Sequence, residues 1–571
     1  MNKRLLTLLP RAFLLVVVFW ICLGPLLSLI YGAIRTGTPG EPGSTFTAEH
    51  VRTIYLGLFQ SGPWQHAVAD SFMLAVSVSI IAVAVGTLLA WLVVRTDLPH
   101  KRAFEIVLIL PLFYSSLIEL IGWTMLASPR SGYINVLWRL MTGTDSTAVD
   151  IYTLTGIIFV MSTQFIPYVI LISIGQMRSM DGVFEEAAAV AGARLWIIMR
   201  TVTLPILLPG IAAAGMYVFV LSMEVFTVPG LLGTRINLDT VAYNLYENVV
   251  GFSAKLPLAA AGGTFMLLIA AIALLIYRSL TSMGQRYVTV GGRGFKSGPI
   301  ALGKYRAPVL ALCCLFVLIT TILPFVAVVL RSLMKVRGDT LGALSLDNFS
   351  DLLSAPYFMP AVTNSLLLSF AAATVCTILG IGLAVWKVRN PDPVVKVCDY
   401  LISIPIALPG IILGIGLLWS YVATPLYMTL GILLLVMVTR FTGLGSQVAS
   451  SGLMQIDRSL EEAASISGAS ALRARLSITI PILKPVIASM WLLVFLMTAR
   501  ELSASVMLYG IGSETLPILT WKYLADGLYG TSSALAVVQV LGITVVVVLF
   551  RLMVGTDLNF IRRRGNSGEA A

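Results

Sequence analysis

Apolar stretches of some twenty residues, carrying few or no charges, alternate with shorter polar segments from one end of this chain to the other. A run of that length matches a helix able to cross roughly 30 Å of hydrocarbon, because an α-helix rises about 1.5 Å per residue. Twelve such runs are predicted as spans. In the first half they lie near Ala12 to Tyr31, Ser71 to Val94, Ile106 to Ala127, Thr153 to Ile174, Leu208 to Val228 and Leu256 to Tyr277. The second half continues near Ala307 to Leu330, Ser365 to Trp386, Tyr400 to Tyr421, Leu426 to Gly445, Pro485 to Met507 and Ser532 to Phe550. The runs are continuously apolar rather than alternating over about ten residues, which favours helices over barrel strands.

Composition agrees: 58% apolar residues, 11% charged and a mean hydropathy of +0.92 cannot clothe a soluble surface. The chain reads as a polytopic, all-α integral membrane protein. Its net charge of +11 is a signal of topology. With both termini on the cytoplasmic side, 26 of the 38 Lys and Arg fall in inner segments and 10 in outer ones, the sense that cationic loops prefer. The inner segments include 95–102, 387–396 and the tail Arg562-Arg563-Arg564, and a nucleic-acid partner is not needed to explain the charge. The first run is too long for a usual secretory leader and no A-x-A-like site follows it, so it is kept as the first span. The five Cys and three His match no metal spacing, so no metal site is expected. Trp20, Trp91, Trp386 and Trp419, near span ends, are expected as interfacial anchors.

An internal repeat organises the rest. Glu186-Ala187-Ala188-x3-Gly192-x9-Val202-x-Leu204-Pro205 recurs 276 residues later as Glu462-Ala463-Ala464-x3-Gly468-x9-Ile478-x-Ile480-Pro481. The two loops, 181–205 and 457–481, fall between the fourth and fifth and between the tenth and eleventh predicted spans. Asp181 and Asp457 are placed to cap a first short helix, and Gly192 and Gly468 to end it in a left-handed turn. A second short helix is expected to close at Pro205 and Pro481. Six spans per half is an even number, so the halves are expected as parallel repeats with pseudo-two-fold symmetry: 1–278 and 307–571, joined by a Gly-rich, charged inner linker, 279–306.

This repeated pattern resembles the signature loop of the membrane subunits of bacterial binding-protein-dependent ATP-binding-cassette importers, with Val202 and Ile480 as mild departures. The double-length form is similar to the permeases for ferric iron, thiamine and 2-aminoethylphosphonate, and Arg500-Glu501-Leu502-Ser503-Ala504 resembles a segment of the iron and thiamine members. The resemblance implies a type I importer permease in a bacterial inner membrane. It further implies two separate ATPase subunits carrying ATP and Mg, and a periplasmic or lipid-tethered solute-binding protein. Residues Glu186, Ala187, Ala188, Gly192, Pro205, Glu462, Ala463, Ala464, Gly468 and Pro481 would couple to the ATPases, Glu186 and Glu462 by anchoring the elbows. No Walker A lysine or LSGGQ-like run occurs, so the chain is expected to be no enzyme and to carry no cofactor of its own. Ferric iron is the first expectation for cargo, with 2-aminoethylphosphonate and thiamine as alternatives.

Charges inside apolar runs cost about 2.5–3.5 kcal/mol or more at mid-bilayer, so each needs a reason. Glu119, Glu224, Arg440, Arg500 and Glu501 are the set. Glu224 and Glu501 are predicted in the outer halves of spans five and eleven. Glu224, Glu501, Arg500 and Glu119 either flank a translocation path or pair internally, for example with Arg440. Pro111, Pro167, Pro405, Pro409 and Gly410 mark bends or close contacts. The competing class is a twelve-span secondary transporter, but the loop 95–102 lacks the glycines such proteins place between spans two and three, and that class leaves the repeated loops unexplained.

Overall fold

The structure, a computed structural model, describes residues 3–38, 41–179, 183–285, 300–334 and 343–554. Asp181, most of the expected linker (286–299) and the basic tail Arg562 to Arg564 lie outside the described residues. Among the described residues the chain is helical, with isolated bridges in place of strands. Among the described residues ten helices are long and apolar enough to cross a membrane, and two bent helix pairs make up to twelve spans when each pair is counted as one broken span. In order they are Arg11–Ala33, Pro63–Arg95, a pair, Leu154–Arg178, Trp196–Glu224, Leu256–Thr281, Gly303–Ser332, Phe358–Arg389, a pair, Leu430–Met454, Ala471–Ala499 and Tyr529–Met553.

The pairs correct the expectation of continuous third and ninth spans. Lys101–Phe113 meets Ser116–Ala127 at 98°, and Pro393–Ile406 meets Gly410–Tyr421 at 109°. Proline explains where they break: Pro111 sits in a tight 3-10 turn, Leu110–Phe113, and Pro409 immediately precedes the second limb of the later pair. A proline has no N–H for the helix ladder, and its ring obstructs the preceding turn. The second limb of the earlier pair starts afresh at Ser115, whose side chain accepts from the Leu117 N–H at 3.4 Å. The eleventh span is also shorter than predicted. It ends at Ala499, so Arg500 caps its end and Glu501 lies beyond it, because the apolar run continues past the last helical turn. Glu224 is the final residue of the fifth span.

The second limbs form the centre of the molecule: every residue from Gly410 to Trp419, and all but two of Ser116–Ala127, are buried. Each is clasped by a span from the opposite half. The first span packs on Gly410–Tyr421, and the end of the seventh span packs on Ser116–Ala127. Both crossings need glycine. A Cβ on Gly416 would lie 2.4 Å from the Pro25 carbonyl oxygen, and one on Gly122 would lie 2.5 Å from that of Pro324. Because backbone atoms block these positions, Gly122→Val or Gly416→Val is expected to lower stability by about 1–3 kcal/mol. The expected readout is a lower midpoint of thermal unfolding in detergent; an unchanged midpoint would contradict the crossing. The peripheral spans turn Ile80, Leu367 and Val545 outward, as helices solvated by hydrocarbon do. Trp91, Trp386 and Trp419 are buried rather than interfacial, and the exposed Trp20 ring donates to the Tyr421 hydroxyl at 2.7 Å.

Candidate functional site

The two repeated loops fold alike. Val183–Val190 and Ser459–Ile466 are the first short helices. Asp457 caps its copy by accepting from the Ser459 N–H at 2.9 Å, and that N–H together with the Ser459 hydroxyl holds the Asp457 carboxyl below the usual carboxylate range. Gly192 (φ +82°) and Gly468 (φ +84°) end the helices in the left-handed region. The Ala193 N–H returns to the Ala188 carbonyl at 3.1 Å and Ala469 to Ala464 at 3.0 Å, the closure that a glycine C-terminal turn provides.

The second short helix departs from expectation. Pro205 and Pro481 do not close it; it runs on into the fifth or eleventh span through a five-residue π turn, Met199–Thr203 or Arg475–Thr479. Leu204 N–H bonds to the Met199 carbonyl and Ile480 N–H to that of Arg475, one register longer than an α-turn. The wider turn just before each proline accommodates its missing N–H and its ring without breaking the helix.

One face of each elbow points outward and is apolar. Val190 is 90% exposed and its counterpart Ile466 89%; Trp196 is 63% exposed and Leu472 66%. Each pair is separated by the same 276 residues as the motifs. Ala187, Ala463, Pro205 and Pro481 are also exposed, with Ala188 and Ala464 half-buried. These tips were not singled out from the sequence, although their identical offset was available there.

In the second elbow the inner face is held by Glu461 rather than by the expected Glu462. Glu462 is exposed and pairs with Arg458, one turn earlier, at 3.3 Å, an arrangement worth little in water. The Glu186 side chain lies outside the described residues. The preceding glutamate points inward. Glu461 accepts from Arg389 Nε at 2.9 Å and from the Thr479 hydroxyl at 2.8 Å. Glu185 pairs with Arg95 Nη1 at 3.2 Å and accepts from the Thr203 hydroxyl at 2.5 Å. Arg95 and Arg389 are the last residues of spans two and eight, and each also donates to a carbonyl near the end of a neighbouring span, Met177 at 2.8 Å and Ile456 at 3.0 Å.

A second cluster joins the halves between the broken spans. Arg440 donates through Nη2 to both carboxylate oxygens of Glu224, at 2.9 and 3.2 Å, and through Nη1 to Glu501 at 3.1 Å. Glu224 Oε1 also accepts the Gly410 N–H at 2.7 Å, placing an anion at the start of Gly410–Tyr421, where the helix dipole favours it. Glu501 accepts the Ala504 N–H at 2.8 Å, the Ser505 N–H at 3.2 Å and the Ser505 hydroxyl at 2.6 Å. Arg500, 276 residues after Glu224, reaches the other way: it donates to the Leu112 carbonyl at the break of the third span and to the Tyr168 hydroxyl at 2.6 Å. Internal pairing is therefore the arrangement present for Glu224 and Glu501. Glu119 stands apart from this cluster, buried on Ser116–Ala127 within hydrogen-bonding reach of Thr163.

Residues 376–555 match the family described as "Binding-protein-dependent transport system inner membrane component". A ferric transport system permease protein of Actinobacillus pleuropneumoniae is 25% identical over 520 residues, covering 90% of this chain and 74% of the relative. The putrescine transport system permease protein of Escherichia coli strain K12 is 34% identical over 195 residues, 33% of this chain and 69% of the relative. A putative 2-aminoethylphosphonate transport system permease protein of Salmonella typhi is 26% identical over 241 residues, 42% and 91% of the two. Among solved structures, a bacterial ABC transporter involved in alginate import aligns with 44% of this chain and 94% of its own, at 17% identity and a TM-score of 0.37.

Proposed function

The chain belongs to the family of binding-protein-dependent transport system inner membrane components, and on that premise we propose that it works as two fused repeats, 1–278 and 307–571 joined by 279–306, whose elbows seat on two separate ATPase subunits. Its coarser role follows from membership: it is a membrane permease of a binding-protein-dependent importer. What carries the finer reading is the pair of outward apolar tips, Val190 with Trp196 and Ile466 with Leu472. Their twofold repetition suits a matched pair of partner grooves, and Val190 and Ile466 lie on short helices outside every candidate span, where hydrocarbon does not account for their exposure. ATP and Mg belong in the partners, since no nucleotide-binding motif occurs in this chain. Gly192 and Gly468 set the turn that presents the tips.

The distribution of Lys and Arg supports a bacterial inner-membrane setting with the elbows and both termini in the cytoplasm. Cargo then arrives outside on a solute-binding protein, and Glu224, Arg440 and Glu501 hold the halves together where a path must part. Glu119, with one carboxylate oxygen lacking a partner among the described residues, is a candidate wall of that path. Ferric iron is the favoured cargo, because ferric permease relatives align with 90% and 82% of the chain. 2-Aminoethylphosphonate, whose permease relative aligns with 42%, and thiamine are the alternatives. A secondary transporter of twelve spans would leave the tips without a purpose.

Two measurements test this. The chain purified with its operon partners is expected to retain ATPase subunits in a 1:2 ratio, and titration of the partner binding protein is expected to show tight binding of Fe³⁺. A chain that moves cargo on an ion gradient with no ATPase bound would refute the reading, whereas tight binding of aminoethylphosphonate or thiamine instead of iron would change the cargo alone.

A further inference from the structure

The inward carboxylates of the elbows have no place in the docking just described, yet they are built the same way twice. Glu185 and Glu461 lie 276 residues apart, as do Thr203 and Thr479. Each carboxylate joins three parts of the fold: the elbow that carries it, the arginine ending span two or eight, and the hydroxyl that closes the π turn leading into span five or eleven. Through the same arginine it is linked to the end of span four or ten.

Stability alone is a poor reason for such a pair, because a buried ion pair is often matched by apolar side chains of the same shape. What it adds is registry. Apolar surfaces slide over one another, whereas charges about 3 Å apart in a water-poor site resist separation and fix which residues move together. The π turn next to each pair is the kind of irregularity at which a helix yields. The threonine hydroxyl bonds across that yielding point to the elbow.

We propose that the Arg95–Glu185–Thr203 and Arg389–Glu461–Thr479 clamps transmit displacement of the elbows into spans two and eight, so that these six are positioning residues for transport. The inference rests on the elbows being the ATPase docking sites. An elbow pushed by its partner drags the end of span two or eight through the arginine, and the helix beyond the π turn follows through the threonine. Without the clamp the elbow moves alone.

The test uses the full transporter, with its ATPase subunits bound, in lipid nanodiscs, and needs no knowledge of the cargo. Spin labels on Val94→Cys and Val388→Cys, introduced after the five native cysteines are replaced, report the separation of spans two and eight before and after trapping with ATP and vanadate. Glu185→Gln with Glu461→Gln keeps shape and removes charge; Thr203→Val with Thr479→Val removes only the hydroxyls. Both double variants are expected to keep their ATPase subunits and to hydrolyse ATP within about twofold of the parent, while the fraction reaching the trapped separation falls about tenfold, within the usual span of coupling factors. A full shift of the labels in the variants overturns the inference, and so does a loss of hydrolysis that matches the loss of movement. Should the glutamine pair fail to fold, the valine pair decides by the same readouts. A parent chain that retains no ATPase subunit overturns the docking reading first and this inference with it.

Discussion

Arg440→Met is expected to abolish recovery of folded protein, because it leaves Glu224 and Glu501 buried with no cation between them. Their side chains are 7% and 5% exposed, and the arginine 16%. Removing one member of a buried charge network costs about 3–5 kcal/mol, a large share of the roughly 5–15 kcal/mol that holds a typical fold together. The cost comes from the stranded carboxylates, so adding Glu224→Gln and Glu501→Gln to Arg440→Met should restore most of the loss. The glutamines keep an acceptor for the Gly410 N–H and for Ser505. Gly410→Ala should cost less than the single arginine variant, because its Cβ would push against the side-chain ends of Arg440 and Glu224 and displace their pairing without removing the charge. Monodisperse yield and unfolding midpoint in detergent are the measurements. A single variant as stable as the parent, or a triple variant no better than the single, would show that the cluster does not hold the halves together.

The second large effect is expected at the elbow tips. Val190→Asp with Ile466→Asp places a charge at two sites about 90% exposed, so the chain should fold and insert normally. Apolar anchors at the centre of an interface commonly contribute about 2 kcal/mol or more each, so every tip lost should weaken ATPase binding by about thirtyfold. The double variant should purify free of ATPase subunits and each single variant with reduced occupancy. Gln60→Asp, at an exposed position outside the candidate spans, is the control and should change nothing. Undiminished ATPase retention by the double variant would remove the docking face from its proposed role.

Much of this architecture was legible because hydrocarbon imposes few solutions: a long uncharged run must be helical, and its length gives its reach. The turn at Gly192 and Gly468 was equally readable, since few residues other than glycine end a helix that way. Pro111 and Pro409 marked the right places in spans three and nine. Whether a proline kinks a helix or breaks it by about 100° depends on what caps the new start: the adjacent Ser115 in the third span, and Glu224, brought from 186 residues away, in the ninth. In the second elbow the inward anchor is Glu461, one residue before the expected Glu462. Neighbours on a helix point about 100° apart, so the two glutamates of a Glu-Glu pair cannot both point straight inward. Choosing between Glu461 and Glu462 requires knowing that Arg389, 72 residues earlier, ends its span beneath the elbow. The eleventh span ends before its apolar run does for a related reason, as hydropathy cannot tell the last helical turn from the buried irregular segment that follows at Glu501.

Glu224 and Arg500 occupy corresponding positions with opposite charge, and the counterpart of Arg440 at the same spacing is Gln164, which bonds to the Ser116 carbonyl at 3.2 Å. Two copies of the amino-terminal half would therefore meet with a pair of anions and no cation, and two copies of the carboxy-terminal half with surplus positive charge. On charge alone, self-association of either half is expected to be disfavoured. The charges of the two halves are complementary, so expressing them as two separate chains is expected to be tolerated, whereas replacing one by a duplicate of the other is not.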